Sequence, residues 1–134
     1  MIQARGGPTI LVLDDTDSRR EAVSRMLRTE GYRVVPARSG IEAQWLFERE
    51  HWSADLLLTG FAPREEDGYH PGFAVGALLA RLPILFMAEL DRGESIRRGL
   101  LHPNAPYLRH PFPPSVLRRT IREALALAAA RPIN

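Results

Sequence analysis

The sequence predicts an α/β domain, a doubly wound five-stranded parallel sheet with five helices, on three observations. Continuous apolar runs of strand length stand at 9–13 (TILVL), 54–59 (ADLLLT) and 83–87 (PILFM); runs that do not alternate with polar residues belong to strands buried on both faces. Segments of helical period lie between the strands, opened by capping signals. Strand and helix in alternation imply parallel pairing, because every parallel connection needs a crossover. The 134 residues make one domain, long enough to bury a core without staples. There is no internal repeat, and residues 1–8 and 131–134 read as tails around a domain at 9–130.

The first strand, 9–13, ends in Asp14-Asp15 and leads to a helix carrying Ala22, Val23, Met26 and Leu27 at helical spacing. Asp17 or Ser18 is the expected cap, and Gly31 the expected stop. Residues 32–36 (YRVVP) form a short second strand before Ser39-x-x-Glu42, a capping box that opens a helix to about residue 50. After the third strand, a polar loop at 62–70 reaches Pro71, the expected first residue of a helix through Phe73, Ala77 and Leu78 that Gly72 and Gly76 weaken. The fourth strand, 83–87, is followed by Asp91-x-x-Glu94 and a helix bearing Ile96 and Leu100. A last short strand, Tyr107-Leu108, precedes Pro111, Pro113 and Pro114, which open a helix with Val116, Leu117, Ile121, Leu125 and Ala128 on one face.

Composition excludes several functions. There is no cysteine, hence no disulfide, thiolate metal site or cysteine nucleophile. All eighteen basic residues are arginine, so there is no lysine for a Schiff base or for reaching a phosphate. Sixteen acidic residues interleave with the arginines and the net charge is +2, which is not the one-sided basic stripe of a nucleic-acid binder. No apolar run approaches a membrane span, and the opening MIQARGGP lacks the apolar stretch of a secretory signal, so a cytoplasmic domain without membrane contact is expected. His51, His70 and His102 show no ligand spacing and read as surface loop residues. Trp45 and Trp52 read as helix packing, and Glu65, Glu66 and Asp67 as solvated loop.

In such a sheet ligands sit beyond the carboxyl ends of the strands. Those ends carry Asp14-Asp15, Gly60, Ala88 and His110. An acidic pair repels phosphate and suits a hard divalent cation. Together with EGYRVVPARSGIEA (30–43), DLLLT followed by Asp67-Gly68, PILFM and YLRHPF (107–112), the order and spacing resemble the receiver domain of two-component response regulators over residues 9–130. The details are most similar to receivers at the C-terminus of hybrid sensor histidine kinases. The resemblance implies a flavodoxin-like fold in which a carboxylate at the tip of the third strand takes a phosphoryl group from a phosphohistidine. Mg²⁺ on the acidic pair, a hydroxyl after the fourth strand and a lysine after the fifth assist it. Asp14, Asp15 and the aromatic at Tyr107 match that pattern. The acceptor position is Gly60, the hydroxyl position Ala88 and the lysine position His110, and Pro63 arrives one residue early.

Without an oxygen nucleophile at position 60 there is no covalent intermediate of the family type. Thr59 points to the opposite face of its strand and is a poor substitute. The expected function is therefore phosphorylation-independent: a degenerate receiver that is not an enzyme and acts by protein–protein interaction in a phosphorelay. Its expected partners are a sensor histidine kinase or other signalling protein, or a second copy in a homodimer. The expected interface is Tyr107 with Arg97 and Arg118. No cofactor is expected beyond weak or vestigial Mg²⁺ on Asp14 and Asp15, which otherwise pair with His110 or cap the next helix. His110 beside two carboxylates is expected to have a raised pKa and partly imitate the lost lysine. Two alternatives remain: a phospho-acceptor using a non-standard residue, and a nucleotide second-messenger site built from Arg92, Arg97, Arg98, Arg109, Arg118 and Arg119.

Overall fold

Unbroken Leu, Ile and Val leave a strand no polar face, so both sides must be covered. In the computed structural model, which describes residues 7–49, 53–60, 82–99, 101 and 103–130, this is how the chain folds. The element order is β1 (Thr9–Leu13), α1 (Asp17–Thr29), β2 (Arg33–Ala37), α2 (Gly40–Arg49), β3 (Leu56–Gly60), β4 (Ile84–Ala88), α3 (Arg92–Arg97), β5 (Tyr107–Arg109) and α4 (Pro114–Ala130). All strand pairs are parallel, in the order β2-β1-β3-β4-β5. The order reverses between β1 and β3, so the tips of these two strands flank the crevice where a doubly wound sheet places its site.

Period-two alternation sends the side chains to two layers. Ile10, Val12, Leu56, Leu58, Leu85, Met87 and Leu108 meet Val23 and Leu27 of α1 and Leu117, Ile121 and Ala124 of α4. On the other face Leu11, Leu13, Val35 and Leu57 meet Ala43 of α2, with Leu46 and Phe47 beside it. A third cluster, Phe86, Ala88 and Leu101, lies with Leu90, Ile96 and Tyr107.

Local chemistry sets the helix ends. Gly31 adopts a positive φ of 95°; the Tyr32 N–H then reaches the Leu27 carbonyl at 3.1 Å, closing a Schellman turn. The capping box forms with an offset: the Glu42 N–H donates to Ser39 Oγ (3.1 Å), while the Glu42 carboxylate accepts from the Arg38 N–H (2.7 Å). Asp91 caps α3 through the Glu94 N–H at 2.8 Å. The α1 cap differs from expectation. It is Thr16, without a side-chain cap bond, and Asp17 is already helical. Trp45 also departs from the packing expected of it, standing 47% exposed with the Arg49 guanidinium 5.3 Å from its ring centroid. The expected helix after Pro71, the loop with Pro63, Glu65, Glu66 and Asp67, and His51, Trp52, His70 and His102 lie outside the described residues, which contain four helices.

Burial separates the core from the surface in a measurable way. Leu58 is fully buried and Ile41 is 82% exposed. Leu58→Ala should cost about 3–4 kcal/mol and Ile41→Ala less than about 0.5 kcal/mol, read from urea unfolding.

Candidate functional site

Asp14 follows β1 and turns inward. Its backbone N–H bonds to the Ala37 carbonyl at 3.1 Å, and only 1% of its side chain is exposed. A buried carboxylate must be hydrogen-bonded or paired, and α1 supplies what it needs. The Thr16 N–H donates to Asp14 Oδ1 at 2.9 Å. One turn into the helix, Arg19 reaches back, as side chains near a helix start do. Its Nε donates to Oδ2 at 2.7 Å and its Nη2 to Oδ1 at 3.0 Å, a two-pronged fork. Arg20 closes the other side: Nη1 donates to the Asp14 carbonyl at 2.8 Å and Nη2 to Asp17 at 2.6 Å.

The hydrogen bond to Asp14 raises the Arg19 pKa above its ordinary value, against the opposing effect of burial. The hydrogen bond and charge of Arg20 lower that of Asp17. The acidic pair is thus divided, with Asp14 inside and paired and Asp15 exposed. The Thr16 hydroxyl is 3.5 Å from the Asp15 carboxylate. Among the described residues no three acidic or histidine side chains are grouped to hold a metal ion.

Gly60 ends β3, opposite Met87 of β4. A Cβ built there would stand 2.9 Å from Asp14 Oδ2 and 3.7 Å from Arg19 Nη2. The place of an acceptor side chain is therefore pressed upon by the fork from the neighbouring strand. Thr59 is fully buried, its hydroxyl 3.2 Å from the Gly60 carbonyl. Ala88 ends β4, and its carbonyl accepts the His110 N–H at 2.7 Å.

His110 corrects the expectation placed on it. Its ring lies against Phe112, centroids 4.7 Å apart, and Nε2 is enclosed without a hydrogen-bond partner. Its pKa is lowered, not raised. Burial is the main cause and the Arg19 guanidinium the second, and together they outweigh Asp14 and Glu89. Asp14 pairs with Arg19 and not with His110, so the imidazole faces a cation where two carboxylates were expected.

The expected interface residues also divide. Tyr107 is half-buried on the α3 side; its hydroxyl donates to the Leu90 carbonyl and lies 3.5 Å from Ser95 Oγ. Arg97, the last residue of α3, and Arg98 just after it share Glu94, each at 2.8 Å. Arg118 reaches the other way, to Glu30 after α1 at 2.9 Å, and does not join Tyr107 and Arg97. Arg92 donates to the Pro103 carbonyl (2.7 Å) and Arg109 to that of Glu89 (3.1 Å). Of the arginines of the nucleotide alternative, Arg97 and Arg98 are thus turned to one shared glutamate, and Arg92, Arg109 and Arg118 each to a different group.

No family model matches the chain. The two-component response regulator ORR8 of Oryza sativa subsp. indica is 30% identical over 95 residues, covering 69% of this chain and 78% of the rice protein. The chain belongs to the receiver domains of two-component response regulators. This receiver is also similar to the transcriptional regulatory protein ZraR of Salmonella typhimurium, 33% identical over 122 residues and 91% of the chain, though it spans only 27% of that protein's length. Among solved structures, chemotaxis protein CheY4 of Vibrio cholerae matches with a TM-score of 0.67 at 27% identity, over 87% of this chain and 98% of CheY4. Arg19 went unnoticed in the sequence. The available signal was its position, five residues after Asp14 and one turn into a helix that follows the strand directly.

The lowered His110 pKa fixes a sign. The unfolded chain takes up a proton near the ordinary histidine value of 6.5, whereas the folded receiver takes it up only at lower pH. Stability is therefore full above 6.5 and falls as pH drops below it, until the folded value is passed. Over about pH 7.5 to 5.5 the parent should lose more stability than His110→Phe, measured by urea melts at each pH; equal losses would contradict the assignment.

Proposed function

We propose that this receiver is a phosphorylation-independent interaction module of two-component signalling and not an enzyme. The observation that carries the reading is at position 60. Phosphoryl transfer to a receiver needs an oxygen nucleophile at the tip of β3, and Gly60 offers none. The neighbouring hydroxyl, Thr59, is buried and turned to a backbone carbonyl, and the Asp14 oxygens are held by the Arg19 fork. Positioning is most of what this chemistry requires, and no group is positioned for it among the described residues.

The module works by binding a sensor histidine kinase or another signalling protein in the cytoplasm, as a companion or a C-terminal part of a hybrid kinase, or by pairing with a second copy. Among the described residues no helix is long and apolar enough to cross a membrane. Tyr107 and Arg97 form the working face on α3 and β5, because aromatic and arginine anchors favour an interface. The Leu90 carbonyl and Ser95 hold the tyrosine hydroxyl, which favours one rotamer and constitutive binding. Arg118 is left out of this face, since it is committed to Glu30 on the α1 side.

Treatment with acetyl phosphate or beryllofluoride and Mg²⁺ should leave the amide spectrum at residues 60, 88 and 107 unchanged. A mass gain of one phosphate on the intact protein would sink the proposal. In pull-down of the cognate kinase, Tyr107→Ala combined with Arg97→Glu should weaken binding by about tenfold or more. Arg118→Glu should bind like the parent and lose at most about 1 kcal/mol of stability from its half-exposed ion pair. Binding that depends on Arg118 and ignores Tyr107 would move the interface to the α1 side.

A further inference from the structure

We infer that Arg19 is the resident cation of this strand tip: its guanidinium takes the part of the divalent metal that receivers place on their acidic pair, and the site is blind to Mg²⁺ as long as Arg19 is there. The inference deepens the proposed function and rests on it for its meaning, while its test reads metal binding and not phosphorylation.

Four observations on one cluster carry it. A hard cation of the Mg²⁺ type needs several oxygen ligands in near-octahedral array. Asp14 Oδ1 already accepts two N–H groups, from Thr16 and Arg19, and Oδ2 accepts the Arg19 Nε. The ligand that the third strand would add is missing at Gly60, and no room remains for it, because even a Cβ would press to 2.9 Å of Oδ2. Asp15 stands exposed, outside the fork. Arg20, 17% exposed at its side chain, braces the arrangement through the Asp14 carbonyl and Asp17. A divalent ion entering here would meet a guanidinium that is always charged, without enough free oxygens to offset the repulsion.

The fork and the glycine also depend on each other. Any side chain at position 60 collides with Asp14 Oδ2 as Arg19 now holds it, and a shorter residue at position 19 leaves a buried carboxylate open toward the bare glycine. Removing the arginine therefore does two things at once: it frees Asp14 Oδ2 and leaves Oδ1 with the Thr16 N–H alone, and it clears the space a hydrated cation needs. Asp14 then stands beside Asp15 with no cation of its own, the condition in which a divalent ion is favoured.

The experiment uses Mn²⁺ as a paramagnetic probe of amides 14–16 and 60, and Mg²⁺-dependent melting against NaCl of matched ionic strength. The parent, Arg19→Gln and Arg19→Lys are compared. The parent should show no selective Mn²⁺ broadening and no Mg²⁺-specific rise in melting temperature up to about 10 mM. Arg19→Gln should melt lower without metal, recover with Mg²⁺, and show broadening at these amides, with an apparent affinity at least about tenfold tighter than the parent. Asp15→Asn in that background should remove the gain. Arg19→Lys, which keeps a cation at the site, should stay blind. Selective Mn²⁺ broadening in the parent overturns the inference, as does a folded Arg19→Gln that gains no metal dependence. If Arg19→Gln does not fold without metal, its rescue by Mg²⁺ supports the inference, and the parent's Mn²⁺ spectrum decides the matter where rescue fails. Metal binding by the parent without any phosphate mass leaves the proposed function standing and removes only this inference; a phosphate mass does the reverse.

Discussion

Asp14 is a carboxylate that the sheet has taken out of water, with 1% of its side chain exposed, and the rest of the strand-tip region is arranged around keeping it charged and satisfied. An unpaired charge in such a place costs several kcal/mol. The Arg19 fork and the Thr16 N–H meet that cost, and in doing so they tie the start of α1 to the end of β1. The tie has consequences on both sides. Toward β3 it presses against position 60, where glycine alone leaves Oδ2 undisturbed. Toward β5 it brings a guanidinium near His110, whose pKa is lowered by burial first and by that guanidinium second.

This ordering explains why the fold was legible in the sequence and the site only in part. β1 was read to the residue and β3 and β4 to within a residue or two, because their cores are unbroken apolar runs and a parallel sheet admits few other interpretations. β5 has only three residues and β2 contains Pro36, so their edges depended on register with β4 and β1 and shifted by a residue. The places of Gly60, Ala88 and His110 at or just past the ends of β3, β4 and β5 were legible as well, since each closes or follows a short apolar run.

What surrounds those positions was not legible, and the reason is reach. An arginine extends far enough that its partner is set by rotamer and helix start together, and eighteen arginines in the chain give no sign of which one turns inward. The His110 sign failed because it was reasoned from two carboxylates, without the burial of the ring, which is the main cause, or the Arg19 guanidinium, which is the second. Arg118 was expected beside Tyr107 because the resemblance puts the last helix on the same face as the fifth strand, yet α4 packs into the same core cluster as α1 and offers the arginine Glu30.

A tethered cation differs from a metal in one respect that bears on signalling. A metal or a phosphoryl group comes and goes, and each can shift a two-state equilibrium because each binds one state better than the other. Arg19 cannot leave, so whatever state it favours is favoured permanently. At the outer face Ala88 brings no hydroxyl to the β4 end, and Tyr107 is bonded to groups of the loop and helix beside it, Leu90 and Ser95. A ligand at the strand tip would need a differential contact between two arrangements of Tyr107 to act on the α3–β5 face. For a module of the proposed kind, regulation would rest on its amount, its location and the state of its partner.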